Sequence, residues 1–308
     1  MRIAFFTEMG FEGKVPRNHP NMRTEFAWMC ALNADHHSIV RAPFVTEQYD
    51  LGIVIIPKKN PELNLDDIKL SCKKVAVMQE GPNWYWQDYD LLKQVNYFNT
   101  LSSADTIFVH NYLDKIYYQG LTNHSDVKLM PSLMVEDAID KEALTPEKYR
   151  GEVIIGGNFV SWYGGFDSYV VAQELSDKVF APSMGRKQPG EEQLLNHLPY
   201  FDWKNWITQL SKFKYGIHLM RTHAAGTFAL NCAYLGIPCI GYYGLDTQEV
   251  CHPNLTVEVG DLISAKKIAK KLKESEEFYK EQSEVARTNY KKVYAEENFI
   301  ERFKSYIC

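Results

Sequence analysis

Many of the usual markers of a protein's chemistry are missing from this chain. It has no Walker loop, no G-x-S-x-G elbow and no strand-borne G-x-G-x-x-G, which weakens nucleotide triphosphatase, hydrolase and dehydrogenase readings. "EMGFEGK", behind the first strand candidate, does not fit the dinucleotide spacing. No apolar run approaches the roughly 18–20 residues that span a bilayer. "MRIAFFTEMGFEGK" lacks the uninterrupted apolar core of a signal peptide, so a cytoplasmic protein is expected. Six cysteines (Cys30, Cys72, Cys232, Cys239, Cys251, Cys308) contain no C-x-x-C pair and read as buried, reduced thiols. A positive surplus is also absent: 34 basic residues face 39 acidic ones, a formal charge of −5. That argues against a globally basic nucleic-acid binder and leaves a local basic face open. "DYD" at 88–90 is the one acidic pair with metal-like spacing, and it opens a helical pattern, where carboxylates serve the helix N-terminus. No required metal and no resident cofactor are expected.

The composition, 45% hydrophobic and 24% charged over 308 residues, suits a globular chain of two domains. Strand-like runs alternate with helical patterns throughout. "RIAFFT" (2–7), "LGIVIIP" (51–57), "KKVAVMQEG" (73–81), "ADTIFVHN" (104–111) and "VKLMPSLM" (127–134) make a first α/β half. "AIDKEALTPEKYRG" (138–151) reads as a linker. The pattern restarts with "EVIIGGN" (152–158), "DKVFAPS" (177–183), "FKYGIHLM" (213–220), "IPCIGYY" (237–243) and "LTVEVGD" (255–261). Near-continuous apolar strands between helices imply parallel sheets covered on both faces. The expected domains are 1–137, 152–286 and a closing helix, 287–308, packed back on the first domain. Two Rossmann-like domains facing each other across a cleft are therefore the expected α/β architecture.

The stretch "MRTHAAGTFALNCAYLGIPCIGYYG" (220–244) concentrates polar residues at the head of a short apolar helix. Gly236 and Pro238 stop that helix, and Thr222 or Thr227 is expected to cap it. A short helix that is apolar all round must be buried, so its free N–H groups need partners, and a diphosphate fits there. Arg221 and His223 would add positive charge.

This stretch resembles the donor region of GT-B glycosyltransferases, in which a glutamate, a glycine three residues later and a second glutamate opening "EA-x-x-x-G-x-P-V-I" recur. "HAAG" (223–226) and "NCAYLGIPCIG" (231–241) keep the spacing, with His223 and Asn231 in the two glutamate positions. "IIGGNFVSWYGGFDSYVVAQ" (154–173) resembles the turn after the first strand of the family's C-terminal domain. The resemblance covers most of residues 150–308 by layout and about 20 residues by motif. It implies a nucleotide-diphosphate sugar donor, UDP-linked by analogy, held by Gly157, Asn158, Arg221, Thr222, His223, Gly226, Thr227 and Asn231, with Asp246, Thr247 and Gln248 in reach. The departure from two glutamates leaves the donor sugar open.

The N-terminal half then supplies the acceptor side, since ligands of open α/β sheets bind beyond the carboxyl ends of the strands. Those ends carry Glu8, Glu80 and His110. Glu80, beside "GPNWYW", is the favoured general base for an inverting transfer, with Glu8 and His110 as rivals. Trp84, Tyr85 and Trp86 would stack on a sugar or base, or pack into the cleft. The implied activity is sugar transfer to a hydroxyl acceptor, a saccharide by default. One alternative is a hydroxymethylated base in DNA, with Lys14, Arg17, His19 and Arg23 gripping phosphates. Another is a non-catalytic two-lobed binding protein. A monomer or weak oligomer is expected.

Overall fold

The computed structural model describes residues 1–8, 12–57, 63–123, 126–183 and 185–307. Seven strands form the N-terminal sheet: β1 (Ile3–Thr7), β2 (Gly13–Lys14), β3 (Asp35–Ser38), β4 (Tyr49–Val54), β5 (Cys72–Gln79), β6 (Thr106–Val109) and β7 (Val127–Leu129). Their order is β2-β3-β1-β4-β5-β6-β7, parallel throughout except for β2 against β3. Six more form a second sheet: β8 (Gly151–Ile155), β9 (Val179–Ala181), β10 (Asn196–His197), β11 (Phe213–His218), β12 (Cys239–Tyr242) and β13 (Thr256–Val257). The order β10-β9-β8-β11-β12-β13 is all parallel. Renumbered within the lobe it reads 3-2-1-4-5-6, the doubly wound Rossmann order, whose switch point lies between β8 and β11.

The strands with long apolar runs are the central ones, as burial on both faces demands. β3 ("DHHS") and β10 ("NH") escape a hydrophobicity reading because they are short, polar and peripheral. Three single 3₁₀ turns, Glu136–Ala138, Lys141–Ala143 and Glu147–Tyr149, fill the linker.

The lobes share one continuous apolar core. It runs from Phe5, Trp28 and Phe108 through Met130 and Met134 to Ile207, Phe228 and Tyr290. The tail comprises helices Leu262–Glu274, Glu276–Tyr294 and Glu296–Ile307. The last returns to the N-terminal lobe, where Phe299 meets the edge of Trp28 (ring centroids 5.0 Å apart) and Phe303 meets Phe108 (5.8 Å). Expecting the chain to break at residue 287 needs correcting: Glu276–Tyr294 is one helix, and the turn comes at Ala295. Cys30, Cys72, Cys232, Cys239 and Cys251 are buried free thiols, while Cys308 lies outside the described residues. Among the described residues no helix is long and apolar enough to cross a membrane.

Candidate functional site

Gly156, just past β8, and His218, the last residue of β11, meet at the switch point of the C-terminal sheet. A Cβ at position 156 would collide with the His218 ring, so glycine is required for this approach. The imidazole also packs against Phe228 (5.2 Å), is held near pKa 4 by burial and leaves Nδ1 without a partner among the described residues. It is therefore neutral at physiological pH.

Beyond this wall lies an interlobe cavity of about 600 Å³, within the range of small-molecule sites. The C-terminal lobe contributes Gly156, Trp162, Tyr163, Arg186, His218, Thr222 and residues 224–228; the N-terminal lobe contributes Thr24, Glu80, Trp84 and Tyr85. A second cavity of about 160 Å³ shares Gly156, Thr227 and Phe228 with the first. Asn231, Pro182, Trp203, Trp206 and Tyr200 line it.

The helix Thr227–Leu235 starts where the two cavities join. Its N-cap is Gly226 at φ +66°, and no side chain among the described residues caps it, which corrects the expectation of a Thr222 or Thr227 cap. Gly226 cannot be replaced cheaply, because a Cβ there would strike Thr247, whose hydroxyl donates to the Gly226 carbonyl (2.9 Å). The backbone N–H groups of residues 222–229 donate no hydrogen bond among the described residues. Orphaned amides at a buried helix start are costly without a partner and form an anion site. At the far end Arg150 and Arg287 both donate to the Leu235 carbonyl (2.9 and 3.1 Å), so the C-terminus of the helix is satisfied. Only its cavity end is open.

The residues anticipated from sequence divide into three groups. Glu80, Thr222, Gly226 and Thr227 line the large cavity, and Asn231 lines the small one. Gly157 packs behind, against Tyr163, where a Cβ would come within 2.6 Å of the Tyr163 Cβ. The others face elsewhere. Arg221 reaches out to Asp167 (2.9 Å) instead of the cavity. The fully buried Asn158 donates to the Arg186 carbonyl and fixes that loop. His223 turns toward Asp114 across the lobe interface (4.0 Å). Asp246 accepts from the Tyr112 N–H at 3.0 and 3.1 Å. Thr247 and Gln248 are buried and bonded, Gln248 to the Cys239 carbonyl (2.9 Å).

Of the candidate bases, Glu80 is the sole carboxylate lining the large cavity among the described residues. Glu8 is exposed just past the end of β1. His110 is buried, donates through Nδ1 to the Met130 carbonyl (3.1 Å), packs edge-on against Trp28 and is pushed down to about pKa 4 by burial. It belongs to the core beneath the site. Asp90 of the "DYD" triplet caps helix Leu91–Ser103 by accepting from the Lys93 N–H (3.0 Å). No group of three or more metal-ligating side chains converges among the described residues.

Sequence reasoning missed Arg186, Trp162 and Tyr163. Arg186 lies over the Trp162 ring (5.3 Å) and supplies the cavity's one cationic side chain among the described residues. Trp84 meets Trp162 across the cleft (6.0 Å), while its Nε1 donates to the Thr222 hydroxyl (3.3 Å). Aromatics beside a glycine-rich turn were the available signal.

No protein-family model matches the chain, and no curated protein matches it by sequence. Solved structures do. Sucrose-phosphate synthase from Thermosynechococcus elongatus is similar over 99% of this chain and 98% of its own, at 9% identity and a TM-score of 0.72. An α-glucosyltransferase in complex with UDP and a 13-mer DNA containing an HMU base is similar over 100% of this chain and 99% of its own, at 14% identity and a TM-score of 0.66. The chain has the GT-B fold. A point mutant of TarM from S. aureus, in complex with fondaparinux, α-GlcNAc-glycerol and UDP, is similar at 11% identity and a TM-score of 0.60. That match covers 83% of this chain and 55% of TarM, so the chain spans about half of TarM's length. The GT-B arrangement explains why both cavities open at the strand ends between the lobes.

Proposed function

We propose that this GT-B chain is a glycosyltransferase that moves a sugar from a nucleotide-diphosphate donor, UDP-linked, to a hydroxyl acceptor. The observation that carries the reading is the run of unpaired amides at residues 222–229, placed where two cavities meet. In this reading the nucleoside occupies the smaller cavity, where the Asn231 amide hydrogen-bonds ribose hydroxyls. The diphosphate sits on the start of the helix Thr227–Leu235, with Arg186 adding charge, and the sugar projects into the larger cavity.

The acceptor lies against Trp84 and Tyr85 with its hydroxyl at Glu80. Glu80 takes the hydroxyl proton as the oxygen bonds to the anomeric carbon. The bond from that carbon to the diphosphate oxygen breaks, and the electron pair leaves on the nucleoside diphosphate, stabilised by the amides. This is an inverting transfer.

A saccharide is the favoured acceptor. The basic residues available to DNA are largely engaged within the protein: Lys14 with Asn33, Arg17 with Asp137 and Glu296, and Arg23 with the Phe201 carbonyl. A modified base in DNA is the second reading, supported by Trp84, Tyr85, Trp162 and Tyr163 on the cavity wall, on which a flipped base would stack.

The test is incubation with a panel of nucleotide-sugars, with and without saccharides and hydroxymethylated DNA, scored by nucleotide release. Acceptor-dependent release supports transfer. Binding without release from any pair points to a two-lobed binding protein.

A further inference from the structure

The turn at 222–225 belongs to the C-terminal lobe, yet the side chains that hold it come from the other lobe. Asn111, just past the end of β6, donates through Nδ2 to the Ala224 carbonyl (2.7 Å). Ser132, beyond β7, donates through Oγ to the Ala225 carbonyl (2.7 Å). Both donors are buried, Asn111 at 1% and Ser132 at 1% exposure. Asn111 is itself fixed: its Nδ2 also reaches Asp114 (2.9 Å), and its Oδ1 accepts from the Asp246 N–H (3.1 Å).

The consequence follows from peptide geometry. In a trans peptide the carbonyl and the next N–H point in opposite directions. Anchoring the Ala224 and Ala225 carbonyls on the N-terminal lobe turns the Ala225 and Gly226 amides away from it. Those two amides belong to the unpaired run at 222–229, and both residues line the large cavity. Without the two anchors, either peptide could rotate and present a carbonyl, which would repel an anion.

We propose that Asn111 and Ser132 are positioning residues for the donor diphosphate: they orient the amides of the C-terminal lobe's donor turn from across the cleft. This rests on the glycosyltransferase reading. The donor site is then a product of both lobes, complete only when they are together.

The test compares wild type with Ser132→Ala, Ser132→Thr and Asn111→Ala. UDP affinity is measured by calorimetry, donor KM and kcat by turnover, folding by thermal melting, and amide exchange across residues 222–229 with and without UDP. Ser132→Ala is the primary variant, since Ser132 touches only the turn carbonyl among its hydrogen bonds described. The expected result is a roughly tenfold weaker UDP affinity and a matching rise in donor KM in both alanine variants, as loss of about one well-buried hydrogen bond implies. Because the same amides stabilise the departing diphosphate, kcat at saturating donor should fall as well, while Ser132→Thr, which keeps the hydroxyl, should bind UDP as wild type does. In wild type, UDP should slow exchange of the Ala225 and Gly226 amides.

Wild-type affinity in either alanine variant with an unshifted melting temperature would overturn the proposal. So would absence of UDP protection at these two amides in wild type, a readout that needs no variant. Failure of wild type to bind UDP or any other nucleoside diphosphate instead removes the functional reading beneath it.

Discussion

Both lobes are built on largely parallel sheets facing the same cleft, yet they furnish it in different ways. The C-terminal lobe offers backbone: glycine at the switch point, a turn of small residues and an uncapped helix start. The N-terminal lobe offers side chains: Glu80, Trp84 and Tyr85 on the wall, with Asn111 and Ser132 gripping the opposite turn. In the proposed transfer, that difference suits a donor with a fixed diphosphate on one side and an acceptor chosen by shape and proton transfer on the other.

The comparison breaks first at Glu80. Glu80→Gln should lower kcat by roughly 100-fold or more, the usual scale of a lost general base, with UDP affinity unchanged. Turnover close to wild type would remove Glu80 from the chemistry. Next comes the backbone side. Gly226→Ala forces a Cβ onto Thr247 in a left-handed conformation, which costs about 1–2 kcal/mol. UDP affinity should fall about tenfold with a lower melting temperature, and calorimetry with thermal melts checks both.

Trp84→Phe keeps the ring but removes the Nε1–H bonded to Thr222, so donor KM should rise roughly two- to fivefold. Steady-state kinetics with donor as the varied substrate measures it, and an unchanged KM would show that this contact does not support the turn.

The smallest effect concerns pH. Burial raises the Asp246 carboxyl from its usual 3.8 to about 6, opposed by the bond from the Tyr112 N–H. The folded state therefore holds the proton more tightly than the unfolded one. The resulting stabilisation is complete below 3.8 and lost as pH rises through about 6. Asp246→Asn should remove that component of the pH dependence, on the order of 1 kcal/mol or 2–4 °C between pH 5 and 7.5. Identical pH profiles of melting temperature in the two proteins would refute the assignment.

The same contrast governs what could be read in advance. The C-terminal side of the cavity was legible because glycine and proline act on the backbone locally: Gly226, Gly236 and Pro238 bound a helix whatever surrounds them. The central strands were legible from their apolar runs. The short polar strand β3 was not, because its stability comes from pairing with β1 and β2 rather than from its own pattern. Charged and polar side chains were harder still. Arg221 and His223 lie in sequence just before the helix Thr227–Leu235 but are drawn off by Asp167 and toward Asp114. Asn111 was marked only by its place at the end of a strand, while Arg186 and Ser132 reach the site from distant loops, and nothing local in their segments marks them.

The most direct measurement of the central claim is a crystal structure with UDP bound. Phosphate oxygens are expected within hydrogen-bond distance of backbone amides in 225–228, with the uridine beside Asn231. A diphosphate seated away from the start of the helix Thr227–Leu235 would contradict the claim.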